Sequence, residues 1–80
     1  MNHYKVIYSG TAIKFKNFST EVIAKNERHA VEQAYSSAMD RNYFPQDDGS
    51  IKDCDGVVIA NPSDETIEYD GGFFYAIEIL

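Results

Sequence analysis

The 80-residue chain has no tryptophan, only two prolines and a single cysteine, Cys54. Because Cys54 has no second cysteine to pair with, an internal disulfide is excluded, and with it a secreted disulfide-stapled scaffold. No apolar run approaches the roughly 20 residues that a membrane-spanning helix needs, and the first residues lead into an alternating pattern instead of an apolar signal core. We therefore expect a soluble, unprocessed protein of the cytoplasm.

Basic residues are also scarce, since seven stand against thirteen acidic ones and give a net charge of −6 at pH 7. A chain of this charge is repelled by phosphate groups, which argues against binding to nucleic acid or to an anionic membrane. A basic surface on another protein is the natural complement. Direct nucleic-acid binding remains a minor alternative through the lysines of the first half: Lys5, Lys14, Lys16 and Lys25.

The motifs of common catalytic and metal sites are missing as well. No P-loop, dinucleotide fingerprint or nucleophile motif occurs. Residues 53–56 resemble part of a calcium loop, but aligning Gly56 with the glycine of that loop places Ile51 and Pro62 at ligand positions. The spacing of zinc ligands is absent among the candidate residues, His3, His29 and Cys54. We expect no enzymatic activity, no metal and no cofactor.

What the sequence does contain is one convincing helix, over about residues 27–39. Asn26 is a suitable N-cap, Glu27 places a negative charge in the first turn, and neither glycine nor proline interrupts the run. The apolar residues form a single stripe, consisting of Ala30, Val31, Ala34, Tyr35, Ala38 and Met39. Such a helix cannot bury its stripe alone, so a sheet must cover it.

The other apolar segments predict strands, at about residues 4–9, 18–25, 57–60, 66–69 and 73–80. Asp70-Gly71 is a strong hairpin signal, because a type I′ turn needs positive φ at both central residues. The last strand is apolar on both faces and therefore belongs in the middle of a sheet.

Two segments are harder to interpret. Residues 10–17 fit either an extension of a hairpin strand or its mobile tip. Residues 40–56 are predicted to form a long acidic loop, because glycine and proline interrupt them and no period is sustained. Tyr43 and Phe44 within that loop are expected to pack against the body of the protein.

Together these elements predict a single α+β domain over residues 1–80, a mostly antiparallel sheet of four or five strands with one helix on one face, in the order β-β-α-β-β-β. In the core, we expect the helix residues Val31, Ala34, Tyr35 and Ala38 to pack against Val6, Val22, Ile77 and Ile79. A single helix covers only one face of the sheet. The other face must be covered by the 40–56 loop or by a second copy of the chain, which would make a homodimer.

Charge is distributed unevenly along the chain. Residues 1–41 carry a net charge of +2, whereas residues 42–80 carry −8. Eight acidic residues form two clusters and are our candidate partner-binding residues: Asp47, Asp48, Asp53 and Asp55, then Asp64, Glu65, Glu68 and Asp70. Aspartate is common in solvated turns, which is one interpretation. The other is an acidic face that meets the Lys and Arg groups with which a partner holds phosphates.

The order of the elements also carries a resemblance, over residues 4–39. A strand that contains Tyr4-Lys5-Val6 and a strand over 18–24 precede a helix that opens with Asn-Glu-Arg-His-Ala-Val-Glu-Gln-Ala. This order resembles small phage and plasmid domains of the DpnD/PcfM type and several short anti-CRISPR proteins.

The resemblance implies a phage or mobile-element inhibitor that acts in the host cytoplasm and occupies a basic nucleic-acid site on a host complex, such as a Cas effector. It transfers no functional residue. The alternative is a small non-enzymatic interaction or assembly module, in some forms homodimeric, without nucleic-acid mimicry.

Overall fold

The computed structural model describes all 80 residues and contains two antiparallel sheets and one α-helix. The strands are β1 Asn2–Ser9, β2 Ser19–Ala24, β3 Phe44–Pro45, β4 Ile51–Lys52, β5 Val58–Ala60, β6 Ile67–Tyr69 and β7 Gly72–Ile79. The helix α1 spans Glu27–Ala38, and short 3₁₀ helices cover Ile13–Phe15 and Asp40–Asn42. The main sheet has the order β2-β1-β7-β6, and the small sheet has the order β3-β4-β5. The predicted α+β class is confirmed.

The 40–56 segment differs from its prediction as one long loop. It contains β3 and β4, which pair with each other, and β4 also pairs with β5. The strand predicted at 57–60 therefore joins the small sheet instead of the main one. Strands of two residues are too short to show a period of two, so the pattern could not reveal them.

The two aromatic residues of this segment also differ from each other. The Tyr43 ring packs against the core, as expected, whereas Phe44 is 46% exposed. Successive side chains of an extended chain point to opposite sides, which explains why only one of the two rings can face inward.

The helix packs across the face of the main sheet that β1 lines with Tyr4, Val6 and Tyr8. The Asn26 side chain caps the helix and accepts a hydrogen bond from the His29 backbone N–H at 2.8 Å. Ala30, Val31, Ala34 and Tyr35 are the buried residues of the helix. No helix in the structure is both long and apolar enough to cross a membrane.

The predicted packing of β7 against the helix is wrong in one respect. Val6 pairs with Ala76, and Tyr8 pairs with Phe74, so Ala76 and Phe74 share the helix-covered face. Ile77 and Ile79, the predicted core residues, lie on the opposite face of the sheet. Because β7 is apolar on both faces, its pattern alone does not decide which face points inward.

Phe74 is the centre of the core and has no exposed surface. Its ring lies 4.9 Å from that of Phe15, 5.0 Å from that of Tyr8 and 5.3 Å from that of Tyr35, measured between centroids. The 3₁₀ helix at 13–15 delivers Phe15 to this cluster, which gives the unassigned 10–17 segment a packing role.

Candidate functional site

A concave surface lies between the β4–β5 turn and the β6–β7 hairpin, and its volume is about 590 Å³. Four acidic residues from the two hairpins line it, namely Asp53, Asp55, Glu68 and Asp70, and Glu68 belongs to the edge strand β6, where the register places its side chain on the face of the sheet opposite α1. We call this surface the acidic cleft. Tyr35, Tyr69 and Ile59 contribute the less polar part of its lining, and no lysine or arginine takes part.

The β4–β5 turn is built by one of these carboxylates. Asp53 Oδ1 accepts hydrogen bonds from the backbone N–H groups of Asp55 and Val57, both at 2.9 Å. Gly56 closes the turn with φ of +79°, a conformation that favours glycine. Asp53 is therefore held in place, while the exposed Asp55 carboxylate makes no hydrogen bond within the chain.

The opposite rim of the cleft is the β6–β7 hairpin. Asp70 and Gly71 have φ of +49° and +79°, as the sequence signal for a type I′ turn requires. Glu68 pairs with Phe73 across this hairpin. Neither the Glu68 nor the Asp70 carboxylate has a partner inside the protein, so both are available to an incoming cation.

The negative charge of the cleft affects the pKa of Tyr35. Burial, and after it the negative charge of Asp53, raise the pKa of Tyr35 to about 12. The carboxylates are nevertheless spread out, because no three His, Cys, Asp or Glu side chains lie together as metal ligands would. The cleft is thus suited to several separate cationic groups.

The remaining candidate residues lie outside the acidic cleft. Asp47 and Asp48 occupy the β3–β4 turn, and Asp64 and Glu65 occupy the connection from β5 to β6. Asp48 Oδ1 accepts hydrogen bonds from the Ser50 hydroxyl at 2.6 Å and from the Ser50 N–H at 2.9 Å. These bonds hold the pKa of the Asp48 carboxyl below its usual value. The Asp48 carboxylate therefore stabilises the β3–β4 turn.

Asp64 has a similar local role, since its Oδ2 accepts a hydrogen bond from the Asn61 N–H at 3.0 Å. The structure thus divides each predicted acidic cluster. The second pair of each cluster meets in the acidic cleft, and the first pair does not.

Sequence reasoning missed Arg28, which organises the turns beside the cleft. Its guanidinium donates hydrogen bonds to the carbonyl oxygens of Gly49 at 2.7 Å, Asn61 at 2.8 Å and Asp64 at 2.7 Å. Its Nε also donates to Glu32 Oε2 at 2.8 Å. A cation in the first turn of a helix opposes the helix dipole, and this unfavourable position was the available signal.

A second concave surface of about 520 Å³ has the opposite charge. Lys5 and Lys16 line it together with Ile7, Phe15 and Phe18, and no acidic residue takes part. We call it the basic groove. The charge asymmetry of the sequence therefore persists in the fold as two separate surfaces.

Alkaline pH is expected to destabilise the protein through two tyrosines. The pKa of Tyr43 is raised to about 12, first by burial and then by the hydrogen bond from its hydroxyl to Glu32, and burial raises that of Tyr35 equally. The folded state holds both protons more tightly than the unfolded state, whose tyrosines titrate near pH 10. Stability is therefore fully present below pH 10 and is lost as pH rises towards 12.

We expect the melting temperature to fall by about 8–16 °C between pH 9 and pH 11, which corresponds to a loss of about 2–3 kcal/mol from the two groups together. Thermal unfolding followed by circular dichroism measures this fall. Tyr35→Phe and Tyr43→Phe should each make the fall shallower. If the fall in melting temperature between pH 9 and pH 11 is unchanged in both variants, the two tyrosines do not cause it.

Comparison of the chain with protein-family models, with curated proteins and with solved structures finds no significant match.

Proposed function

We propose that the protein is a non-catalytic inhibitor that binds a basic, nucleic-acid-binding surface of another protein through its acidic cleft. Four acidic residues from two separate hairpins border one cleft that contains no lysine or arginine, and this observation supports the proposal most directly. Together with the resemblance over residues 4–39, it favours a phage or mobile-element inhibitor of a host complex, with a Cas effector as the first target to test.

The state of the carboxylates supports binding to arginine and lysine. Asp55, Glu68 and Asp70 make no hydrogen bond or ion pair within the chain, so the full acceptor capacity of each remains open. Hydrogen bonds between a carboxylate and a guanidinium or ammonium group are among the strongest that proteins form. A surface that holds nucleic acid presents such groups at separate phosphate positions, which suits carboxylates that are spread around a rim.

The aromatic lining of the cleft adds an apolar contribution. Long basic side chains carry their charge on an apolar stem, and the stem packs on apolar surface while the charge remains at the rim. Tyr69 and Ile59 supply such surface beside the carboxylates. The cleft therefore accommodates both parts of an arginine or lysine side chain.

The proposal predicts that two carboxylates of the cleft carry binding. Asp55→Asn with Asp70→Asn should weaken binding to a labelled nine-arginine peptide at least tenfold at low salt, because two charge-assisted contacts are lost. Asparagine also tolerates the positive φ of residue 70. Fluorescence anisotropy measures the affinity, and competition with target DNA for a purified Cas effector measures inhibition.

The matched control is Asp47→Asn with Glu65→Gln, which removes the same charge from residues outside the cleft that make no internal hydrogen bond. This control should bind within about threefold of the parent, and binding by the parent should weaken steeply with salt. An equal loss of affinity in both double variants would favour the solvated-turn interpretation, in which the net charge of the whole chain attracts the peptide. Retained activity in the cleft variant, with loss in Lys5→Ala and Lys16→Ala, would make the basic groove the working surface.

A further inference from the structure

The main sheet has a second face, opposite α1, that no part of the chain covers. By register, it carries six large apolar side chains: Ile7, Ile23, Phe73, Tyr75, Ile77 and Ile79. None of the residues on this face is buried, and Ile23, Phe73 and Ile77 are 63%, 48% and 49% exposed. We call this surface the open face.

The composition of the open face differs from that of a solvated sheet. An antiparallel sheet with one face in water normally places polar residues on that face. Here the central strand β7 presents four apolar residues in succession, at positions 73, 75, 77 and 79, and Ile7 lies beside Tyr75 on β1. Contiguous apolar surface of this kind marks an interaction site.

The open face carries little net charge, which favours a second copy of the chain over a strongly basic partner as its occupant. Lys5 lies directly opposite Glu21, and His3 Nε2 lies 2.9 Å from Glu21 Oε1. With Glu68 at its edge, the face carries a net charge of −1 when the histidine is neutral, although the whole chain carries −6. Among symmetric contacts, in which each surface meets its own copy, the open face brings less like charge together than the acidic cleft does, whereas a strongly basic partner is drawn to the acidic cleft.

We infer that the open face is the interface of a symmetric homodimer, with a second copy of this chain as its occupant. The four strands have 8, 6, 8 and 3 residues, and a spacing of about 4.8 Å between strands with a rise of about 3.4 Å per residue gives the face an area of roughly 400 Å². Two such faces amount to about 800 Å², the size of a weak or transient interface. The expected dimer is therefore one that dissociates at low protein concentration.

Sheet-on-sheet packing gives this dimer a definite arrangement. Two sheets pack face to face about 10 Å apart, with nearly aligned strands. A two-fold axis that crosses the strands between Tyr75 and Ile77 places Tyr75 against Ile77 of the second copy, and Phe73 against Ile79 of the second copy. Each contact occurs twice, as an isologous interface requires, and no like charges face each other.

Light scattering coupled to gel filtration, with a reductant because Cys54 is exposed, tests the inference. We expect the full chain to elute with twice its 9.0 kDa mass at about 100 μM. Ile77→Lys should weaken dimerisation at least tenfold. Ile13→Lys is the matched control, because Ile13 is 89% exposed but lies outside the open face, and it should leave the dimer intact.

Salt distinguishes this dimer from a charge-driven contact. An apolar interface persists or strengthens in about 0.5 M NaCl, whereas a contact between the basic groove and the acidic cleft dissociates. A parent that stays monomeric at about 100 μM, an Ile77→Lys variant that stays dimeric or a dimer that dissociates in salt would each overturn the inference. Binding of the nine-arginine peptide by Ile77→Lys tests the proposed function separately, since Asp55 and Asp70 lie outside the open face.

Discussion

Phe74→Ala is expected to lower the free energy of unfolding by about 3–5 kcal/mol, the range for removing a fully buried aromatic side chain. The ring of Phe74 is in contact with rings from three separate parts of the chain, so the cavity cannot collapse by moving one of them. A domain of this length has a total stability of only about 4–12 kcal/mol. The variant should therefore retain little stability, as urea unfolding followed by circular dichroism will show.

Phe73→Ala is the matched control for this prediction. It removes the same side chain one position earlier, from the open face, where Phe73 is 48% exposed. At sub-micromolar concentration, where the dimer dissociates, we expect Phe73→Ala to cost less than about 1 kcal/mol. Equal losses in the two variants would contradict the burial of Phe74 alone, and a larger loss in Phe73→Ala would place the sheet the other way round.

The contrast between these two phenylalanines shows where sequence reasoning stops. The alternation of apolar residues and the turn residues predicted the helix and five strands with ends within two residues of the observed ones. Asn26 indicated the start of the helix, and Asp70-Gly71 indicated the β6–β7 turn. Nothing in β7 separates Phe74 from Phe73, because both faces of that strand are apolar. The register with β1 decides which of the two phenylalanines is buried. Register depends on pairing between strands far apart in the sequence, and a local pattern does not reveal it.

The acidic residues show a related limit. Proximity in the sequence predicted two acidic clusters. In the structure, the last two residues of each cluster line the acidic cleft, and the first two lie outside it. Asp48, Asp53 and Asp64 accept backbone hydrogen bonds in turns, as the solvated-turn interpretation expects. Asp55, Glu68 and Asp70 have no internal partner. The solvated-turn interpretation therefore accounts for the first three residues, and partner binding by the other three stays a prediction.

Arg28 forms a connection that no local pattern indicates. Its side chain is 16% exposed, and it joins the first turn of α1 to the β3–β4 turn and to the connection from β5 to β6. Glu32 neutralises the charge of Arg28 and also accepts a hydrogen bond from the Tyr43 hydroxyl at 2.8 Å. One guanidinium thus links the helix to both loops beside the small sheet. Its planar fork of donors suits this task, because it reaches several carbonyl oxygens at once.

Arg28→Ala is accordingly expected to lower the free energy of unfolding by about 2–4 kcal/mol, because several charge-assisted hydrogen bonds are lost and Glu32 loses its ion pair. Arg28→Lys should recover only a minor part of this loss, since an ammonium group cannot reach the carbonyls of Gly49 and Asp64 together. Urea unfolding measures both variants.

Arg41→Ala is the control for charge alone, because Arg41 is exposed and makes no ion pair or hydrogen bond in the structure. We expect it to change stability by less than about 0.5 kcal/mol. Hydrogen exchange then separates a local effect from a global one. If Arg28 fixes the two turns, the Gly49 and Asp64 amides should exchange faster in Arg28→Lys while the β1 amides keep their protection. Full rescue by lysine would contradict this role, because a single point charge would then be sufficient to hold the turns.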